Sequence, residues 1–258
     1  MSSSNLNIAI VGATGQVGTV MRQLLSEREF PVGDLRFFAS SRSAGTTLEW
    51  KDRNIVVEDV ATADWSGIDI ALASAGKTAS LQYSPVMAEA GVTVIDNSSG
   101  WRNDPEVPLI VSEVNPQDLD NIPKGIIANP NCTTMAAMPV LAPLHRESGL
   151  EALVVATYQA VSGAGKPAMD ELFNQTKGVF VHDQATPEQF TKKIAFNVIP
   201  HIDVFMDDGF TKEEWKMRVE TKKILDSEIN LVAHCVRVPV FIGHSEAVFV
   251  ECQNDINE

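Results

Sequence analysis

The chain has 258 residues, 44% of them hydrophobic and 21% charged, enough to bury one large core or two modest ones. Its 34 acidic against 20 basic residues leave a formal net charge of −14, which opposes non-specific attraction to nucleic acid or to an anionic membrane. Cys132, Cys235 and Cys252 are an odd set without CxxC spacing, so neither a disulfide framework nor a zinc or other metal site is suggested, and a reducing, cytoplasmic setting is expected.

Met1-Ser2-Ser3-Ser4-Asn5 lacks a positive n-region, and no apolar run approaches the roughly 20 residues that a membrane span needs. Strand-like and helix-like segments then alternate. Asn7 to Val11 precedes a helix over Val20 to Ser26, Arg36 to Ala39 reads as a strand, and Ile68 to Ala73 precedes a helix over Ser80 to Ala90. Val92 to Asp96 and Ile126 to Ala128 add two more strands, so the first half predicts a parallel sheet covered by helices. The pattern changes near Asn129 to Cys132, where a domain boundary is expected. Beyond it come a helix from Thr134 to Glu147, a strand from Ala152 to Gln159, a helix near Pro167 to Lys177 and a polar loop through His182 to Lys192. A helix from Lys212 to Leu225 and strands over Ile229 to Val238 and Glu246 to Cys252 complete a second half of α+β type.

Gly12-Ala13-Thr14-Gly15-Gln16-Val17-Gly18 follows the first strand and opens a helix, which is the context of a dinucleotide loop. Glycines permit the tight turn and the approach of backbone to a pyrophosphate at a helix N-terminus, where Thr14 and Gln16 can add donors. The GxxGxxG spacing is a variant of the usual fingerprint, and a Gly-rich turn of this kind also serves packing alone. An NAD site would place an acid after the second strand; here Ala39-Ser40-Ser41-Arg42-Ser43 offers a cation and hydroxyls to a 2′-phosphate, which favours NADP over NAD. A solvated loop arginine is the plainer alternative. Ser74-Ala75-Gly76 would lie on the same cofactor edge, at the carboxyl end of its strand.

Asn129-Pro130-Asn131-Cys132-Thr133-Thr134 puts a lone cysteine at the start of an apolar helical run. Helix N-terminal N–H groups favour a thiolate, so Cys132 is a candidate nucleophile, although an inert buried thiol fits the same position. A thiolate beside a nicotinamide site points to aldehyde oxidoreduction through a thiohemiacetal and a thioester, because sulfur both attacks carbonyls and leaves readily. Of the five histidines, His244 is the best-placed acid/base, in the Gly243-containing turn between the last two strands. Arg237 is a guanidinium inside an apolar strand and demands an anion, either a substrate carboxylate or one of the chain's own acids. A straight strand would put Arg237 and His244 on opposite faces about 23 Å apart, so they share a site only if the chain bends at Pro239 and Gly243. Glu213 and Lys216 read by themselves as a solvated i,i+3 salt bridge.

These stretches, together with Asp96-Asn97-Ser98-Ser99-Gly100-Trp101-Arg102 and Tyr158-Gln159-Ala160-Val161-Ser162-Gly163-Ala164-Gly165, run through the chain in the order found in one family. The sequence resembles the aspartate-β-semialdehyde dehydrogenases, closely the actinobacterial form. The resemblance implies a Rossmann-like NADP-binding domain over residues 1–130. It also implies an α+β catalytic and dimerisation domain, like that of glyceraldehyde-phosphate dehydrogenase, over residues 131–258. It implies Cys132 as acyl-thioester nucleophile, His244 as acid/base, and Gln159 as the group that orients the substrate. Arg237 and Glu213 would hold the substrate's carboxylate and amino group, Arg102, Asn131 and Lys216 the phosphate, and Ser162 and Gly163 the nicotinamide half of NADP. Gly12, Thr14, Gly15, Gln16, Val17, Ser40, Arg42, Ser43, Ser74 and Gly76 would contact the rest of the cofactor.

The implied reaction reduces aspartyl phosphate to aspartate semialdehyde and phosphate in a homodimeric enzyme, on the path to lysine, threonine and methionine. Lys77 and Ala164 depart from the family's pattern. Family members continue for several dozen residues beyond the point matching Glu258, so a fragmentary gene model is expected. N-acetyl-γ-glutamyl-phosphate reductase, with similar chemistry, is the rival enzyme, and a non-catalytic NADP-binding module the rival of another class.

Overall fold

Ile8, Ala9, Ile10 and Val11 are all buried, as befits a central parallel strand covered on both faces. They belong to β1 (Leu6–Val11), in a computed structural model that describes residues 5–182 and 186–256. Met1 to Ser4 and part of the expected polar loop, residues 183–185, lie outside the described residues. Contacts cluster into two units, Met1–Pro130 and Asn131–Glu258.

In the first unit β1 is followed by α1 (Gln16–Glu27), β2 (Val32–Ala39), β3 (Thr47–Trp50), β4 (Arg53–Asp59), β5 (Ile70–Ala73), α2 (Lys77–Glu89), β6 (Thr93–Asp96) and β7 (Ile126–Ala128). The strands form one sheet in the order β3-β4-β2-β1-β5-β6-β7. Every neighbouring pair is parallel except the antiparallel β3–β4 hairpin. The chain runs outward from β1 through β2 to β4, then returns to β5 on the other side of β1, which makes the carboxyl end of β1 a topological switch point. Leu35, Phe37 and Val57 pack on Ile8 and Ile10 in the core. Each such side chain contributes about 1.5–3 kcal/mol by leaving water.

The parallel sheet agrees with the expectation from the sequence, but β2 starts at Val32 rather than Arg36 and α2 at Lys77 rather than Ser80, and two further differences have local causes. The first helix begins at Gln16 rather than Val20, because Gly15 itself serves as its N-cap. The β3–β4 hairpin was not expected: its turn uses Lys51 at φ +52, without the glycine or asparagine that normally signals such a turn.

The second unit holds α3 (Cys132–Ser148), β8 (Leu150–Gln159), α4 (Lys166–Phe180), α5 (Lys212–Leu225), β9 (Asn230–Arg237) and β10 (Ser245–Cys252). Its sheet has the order β10-β8-β9, with β8 parallel to β9 and antiparallel to β10. Helix α5 packs on β9, and α3 packs on α5. Strand alternation divides the sheet into two faces. Leu153, Val155, Leu231 and Ala233 are buried, whereas Val154, Val232 and Phe249 are exposed.

On the buried face the residue type changes along the strands, from Leu153 and Val155 to Thr157 and Gln159 on β8, and from Leu231 and Ala233 to Cys235 and Arg237 on β9. Polar side chains therefore collect at the carboxyl ends of two parallel strands. The outer edge of β9 is covered by a backbone pair between Ile199 and Arg237 and by Glu214, whose Oε1 accepts from the Cys235 N–H at 3.1 Å. Glu214 also completes a capping box with Thr211, which fixes the start of α5 one residue before Glu213. Among the described residues, no helix is long and apolar enough to cross a membrane.

Candidate active site

A cavity of about 620 Å³ opens in the first unit at the switch point. The carboxyl ends of β1, β2, β4 and β5 reach it through Val11, Ala39, Asp59 and Ser74. Gly12, Thr14, Gly15, Ser40, Arg42 and Ser43 line it as well. Gly12 has φ +86, and a Cβ there would stand 2.4 Å from the Ser74 carbonyl oxygen, so only glycine fits the turn. A Cβ on Gly18 would stand 2.4 Å from the Gly12 oxygen, which lets α1 start directly against the loop. The Ser40 carbonyl accepts from the N–H groups of Ser43 and Ala44, folding Ser40 to Ser43 into a turn that leaves Arg42 exposed. Gly-rich backbone at a helix start, an exposed guanidinium and hydroxyls around one cavity fit a dinucleotide phosphate. Gln16, Val17 and Gly76 stand beside this lining, Gln16 and Val17 at the start of α1 and Gly76 as the N-cap of α2.

In the second unit Cys132 is the first residue of α3 and is exposed, unlike the fully buried Cys235. Asn131 caps the helix: its Oδ1 accepts from the Thr133 N–H at 3.0 Å and the Thr133 hydroxyl at 2.6 Å, and lies 3.9 Å from the Cys132 sulfur. The Asn131 Nδ2 donates to Glu213 Oε1 at 2.9 Å. Gln159 donates to the same oxygen at 3.0 Å and is itself oriented by the Thr157 hydroxyl, which donates to its Oε1 at 2.9 Å. The other Glu213 oxygen accepts from Lys216 Nζ at 2.9 Å. One carboxylate thus ties the start of α3, the end of β8 and the first turn of α5.

Arg237 and His244 do meet. Backbone bonds from Val161 N to Val240 O and from Ser162 N to Phe241 O hold the returning chain, and Gly243 turns it at φ +97. The two side chains then grip one residue: Arg237 Nη1 donates to the Ala160 carbonyl at 2.7 Å, and His244 Nδ1 accepts from the Ala160 N–H at 2.9 Å. A Cβ on Gly163 would lie 3.2 Å from Arg237 Nη1 and 3.6 Å from His244 Nε2, so Gly163 keeps both heads open. Because His244 Nδ1 is an acceptor here, the neutral ring carries its proton on Nε2.

Burial pushes the Glu213 carboxyl up, but the Lys216 charge and the bonds from Lys216, Asn131 and Gln159 outweigh it and hold its pKa below the ordinary value. Burial lowers Lys216, and Glu213 and Asp203 more than restore it. Arg237 is lowered by burial, opposed by the charges of Glu213, Cys132 and Cys235. His244 is lowered by burial and then by the Arg237 cation, against Glu213, which keeps the ring neutral. Burial pushes the Cys235 thiol up to about 12, the signature of an inert core cysteine.

Cys132, Asn131, Gln159, Ser162, Gly163, Glu213, Lys216, Arg237 and His244 all lie in the second unit. Arg102 lies in the first, buried behind the Ser98-Ser99-Gly100 turn with Nη2 donating to the Asn97 carbonyl at 3.2 Å. One sequence expectation needs correction: Glu213–Lys216 is not a solvated pair, because both side chains are largely buried. Cys252 is half-buried. His145 accepts from the Leu150 N–H at 3.0 Å, and His201 stacks on Phe205 at 4.4 Å.

The sequence reading missed Asp59, Asp203 and Glu246. Asp59 ends the unrecognised β4, and Asp203 bonds Lys216 at 2.8 Å from a loop without a motif. Glu246 is an inward position of an alternating strand, so its period could have found it; burial raises it to about 7. No group of three or more His, Cys, Asp or Glu side chains among the described residues could hold a metal.

Two family models match the chain: a semialdehyde dehydrogenase NAD-binding domain over residues 7–122 and a semialdehyde dehydrogenase dimerisation domain over residues 141–258. The two units thus carry the domain pair of a nicotinamide-dependent oxidoreductase with a small-molecule substrate. The aspartate-semialdehyde dehydrogenase of Streptomyces akiyoshiensis is 56% identical over 254 residues, 93% of this chain and 74% of that protein. That of Corynebacterium glutamicum is 53% identical, over 95% of this chain and 76% of its own. A crystal structure of the Vibrio cholerae aspartate semialdehyde dehydrogenase II complexed with ASA superposes with a TM-score of 0.97 at 48% identity, over 98% of this chain and 76% of that one. The chain belongs to the aspartate-semialdehyde dehydrogenase family. These relatives favour the aspartyl reading over N-acetyl-γ-glutamyl-phosphate reductase and over a non-catalytic module.

Proposed function

We propose that the chain catalyses reduction of L-aspartyl 4-phosphate to L-aspartate 4-semialdehyde and phosphate through a thioester on Cys132, using NADP, in lysine, threonine and methionine biosynthesis. The observation that carries this reading is the convergence of Asn131, Gln159 and Lys216 on Glu213 in the same unit as a helix-start thiol. Cys132 attacks the acyl carbon, a C–S bond forms, and phosphate departs with the electrons of the C–O bond. Arg102, Asn131 and Lys216 receive that phosphate. Arg237 presents its fork to the substrate's α-carboxylate and Glu213 accepts from its amino group, while Gln159 fixes the acyl carbon against the sulfur. The thioester carbon is the centre that NADPH, held by the Gly12 to Gly15 turn and Arg42, would reduce by supplying a hydride. His244 then gives its Nε2 hydrogen bond to the oxygen on which negative charge develops, acting as acid/base, and collapse of the tetrahedral centre returns the thiolate.

Ser40, Arg42 and Ser43 favour the 2′-phosphate of NADP over NAD, Gly12, Thr14, Gly15, Gln16, Val17, Ser74 and Gly76 receive the pyrophosphate side, and Ser162 and Gly163 meet the nicotinamide. A relative from Candida albicans, 26% identical with a TM-score of 0.77, was solved with NADP, which supports that choice. The exposed apolar face of β8 and β9 and the dimerisation-domain match support a homodimer, and the cysteine usage supports a cytoplasmic setting. The test is NADP reduction by purified protein given aspartate semialdehyde. Turnover that requires both NADP and inorganic phosphate is expected; absent turnover, or turnover indifferent to phosphate, contradicts the reading.

A further inference from the structure

Lys216 is shared by two carboxylates of unequal standing. Glu213 Oε2 lies 2.9 Å from Nζ on a side chain only 8% exposed, and its second oxygen is already committed to Asn131 and Gln159. Asp203 Oδ2 lies 2.8 Å from Nζ on a side chain 31% exposed. The loop carrying Asp203 is nevertheless well fixed. Asp203 takes the left-handed conformation at φ +67, its Oδ1 accepts from the Val204 N–H at 2.9 Å, and the Val204 carbonyl accepts from Lys212 at 2.8 Å in the first turn of α5. Phe205 and Thr211 add a backbone bridge between the same two segments. Burial pushes the Asp203 carboxyl up, but the Lys216 hydrogen bond and charge outweigh it, so the group is ionised beside the ammonium at neutral pH.

The Lys216 ammonium has three N–H donors, two of them given to Glu213 and Asp203, so a phosphate that takes more than the third displaces one of these partners. Glu213 is the more buried and is also held by Asn131 and Gln159, so the exchangeable partner is Asp203. The bond given up is a partly buried ion pair, and the carboxylate left behind repels an incoming dianion at the same ammonium.

We propose that Asp203 is a positioning residue that competes with phosphate for Lys216 and so weakens the hold of the site on phosphate, easing its departure after acyl transfer. The inference rests on the proposed role of Lys216 in phosphate binding. It concerns a residue outside every motif discussed above, and it makes the phosphate term separable from the semialdehyde term.

The test is the dependence of NADP reduction on inorganic phosphate in Asp203→Asn, Asp203→Glu and Lys216→Ala. Asparagine keeps an oxygen for the Val204 N–H and removes the charge. Asp203→Asn should lower KM for phosphate about threefold or more while KM for aspartate semialdehyde stays within about twofold, and the gain should shrink as ionic strength rises. Asp203→Glu, which restores the charge, should return KM for phosphate toward its original value. Lys216→Ala should raise KM for phosphate and abolish the effect of Asp203→Asn in the double variant. An unchanged or raised KM for phosphate in Asp203→Asn, with Lys216→Ala still raising it, overturns the Asp203 inference alone. An unchanged KM for phosphate in Lys216→Ala overturns the phosphate role of Lys216, and the inference with it. A fall in thermal stability of Asp203→Asn without any phosphate-specific change would reduce the pair to a structural tie between loop and helix.

Discussion

In the first unit the cavity is framed by local turns and strand ends. The turns Gly12 to Gly15 and Ser40 to Ser43, four strand ends and the side of α2 from Thr78 to Tyr83 surround it, and the decisive constraint is the absence of a Cβ at Gly12. In the second unit the candidate groups are side chains from five separated segments, with Asn131, Gln159, Glu213, Arg237 and His244 held by each other or by one backbone residue, Ala160. A backbone site tolerates changes in its neighbours but not in its glycine. A side-chain network is sensitive at its shared node, because every partner of a buried carboxylate is left unpaired when it goes.

Glu213→Gln is the sharpest way to break the network. Bonds to a charged group are worth about 1.5–3 kcal/mol, so kcat/KM should fall roughly tenfold to hundredfold, with NADP affinity unaltered by fluorescence titration. A solvated surface pair would have predicted almost no change. Gly12→Ala breaks the other region alone. The clash with Ser74 and the strain of a non-glycine residue at positive φ, about 1–3 kcal/mol, should weaken NADP binding about tenfold while the rate of Cys132 alkylation by iodoacetamide stays the same.

The smallest expected effect is a pH shift. Folding lowers the His244 pKa, so its neutral form is retained to a pH below 6.5, and the acid limb of kcat/KM should fall there. Arg237→Gln removes one of the two causes and should move that limb upward, whereas Arg237→Lys, which keeps the charge, should not. The linked stability term has a definite sign: the unfolded chain takes up the proton first, so this contribution is lost as pH falls through 6.5, the ordinary histidine value.

The contrast also explains what the sequence disclosed. The backbone site was legible because it is local: Gly12 to Gly18, Arg42 and Ser74 each sit at a strand end that periodicity reveals. The expected helix Lys212 to Leu225 coincides with α5, since its capping box and charged first turn are also local signals. The β3–β4 hairpin escaped because Lys51 occupies its turn, and Asp59 escaped with it. For the second unit the sequence named candidate side chains, largely through resemblance, but not their connectivity. Nothing along the chain says that Asn131 and Glu213, 82 residues apart, share a hydrogen bond, or that the Glu213–Lys216 pair is buried. Straight-strand arithmetic put Arg237 and His244 on opposite faces, and only the turn through Pro239 and Gly243 brings both to Ala160.

Cys132 joins the two halves of the account, because it should carry the chemistry while contributing nothing to the hold on the cofactor. Cys132→Ser tests this by paired assays of NADP reduction and NADP binding on the same protein. The expected result is loss of turnover by about a thousandfold or more, since a hydroxyl at that position lacks the thiol's acidity and leaving ability, with the NADP dissociation constant changed less than about twofold. Retained phosphate-dependent turnover in Cys132→Ser would contradict the thioester and the assignment of the site with it.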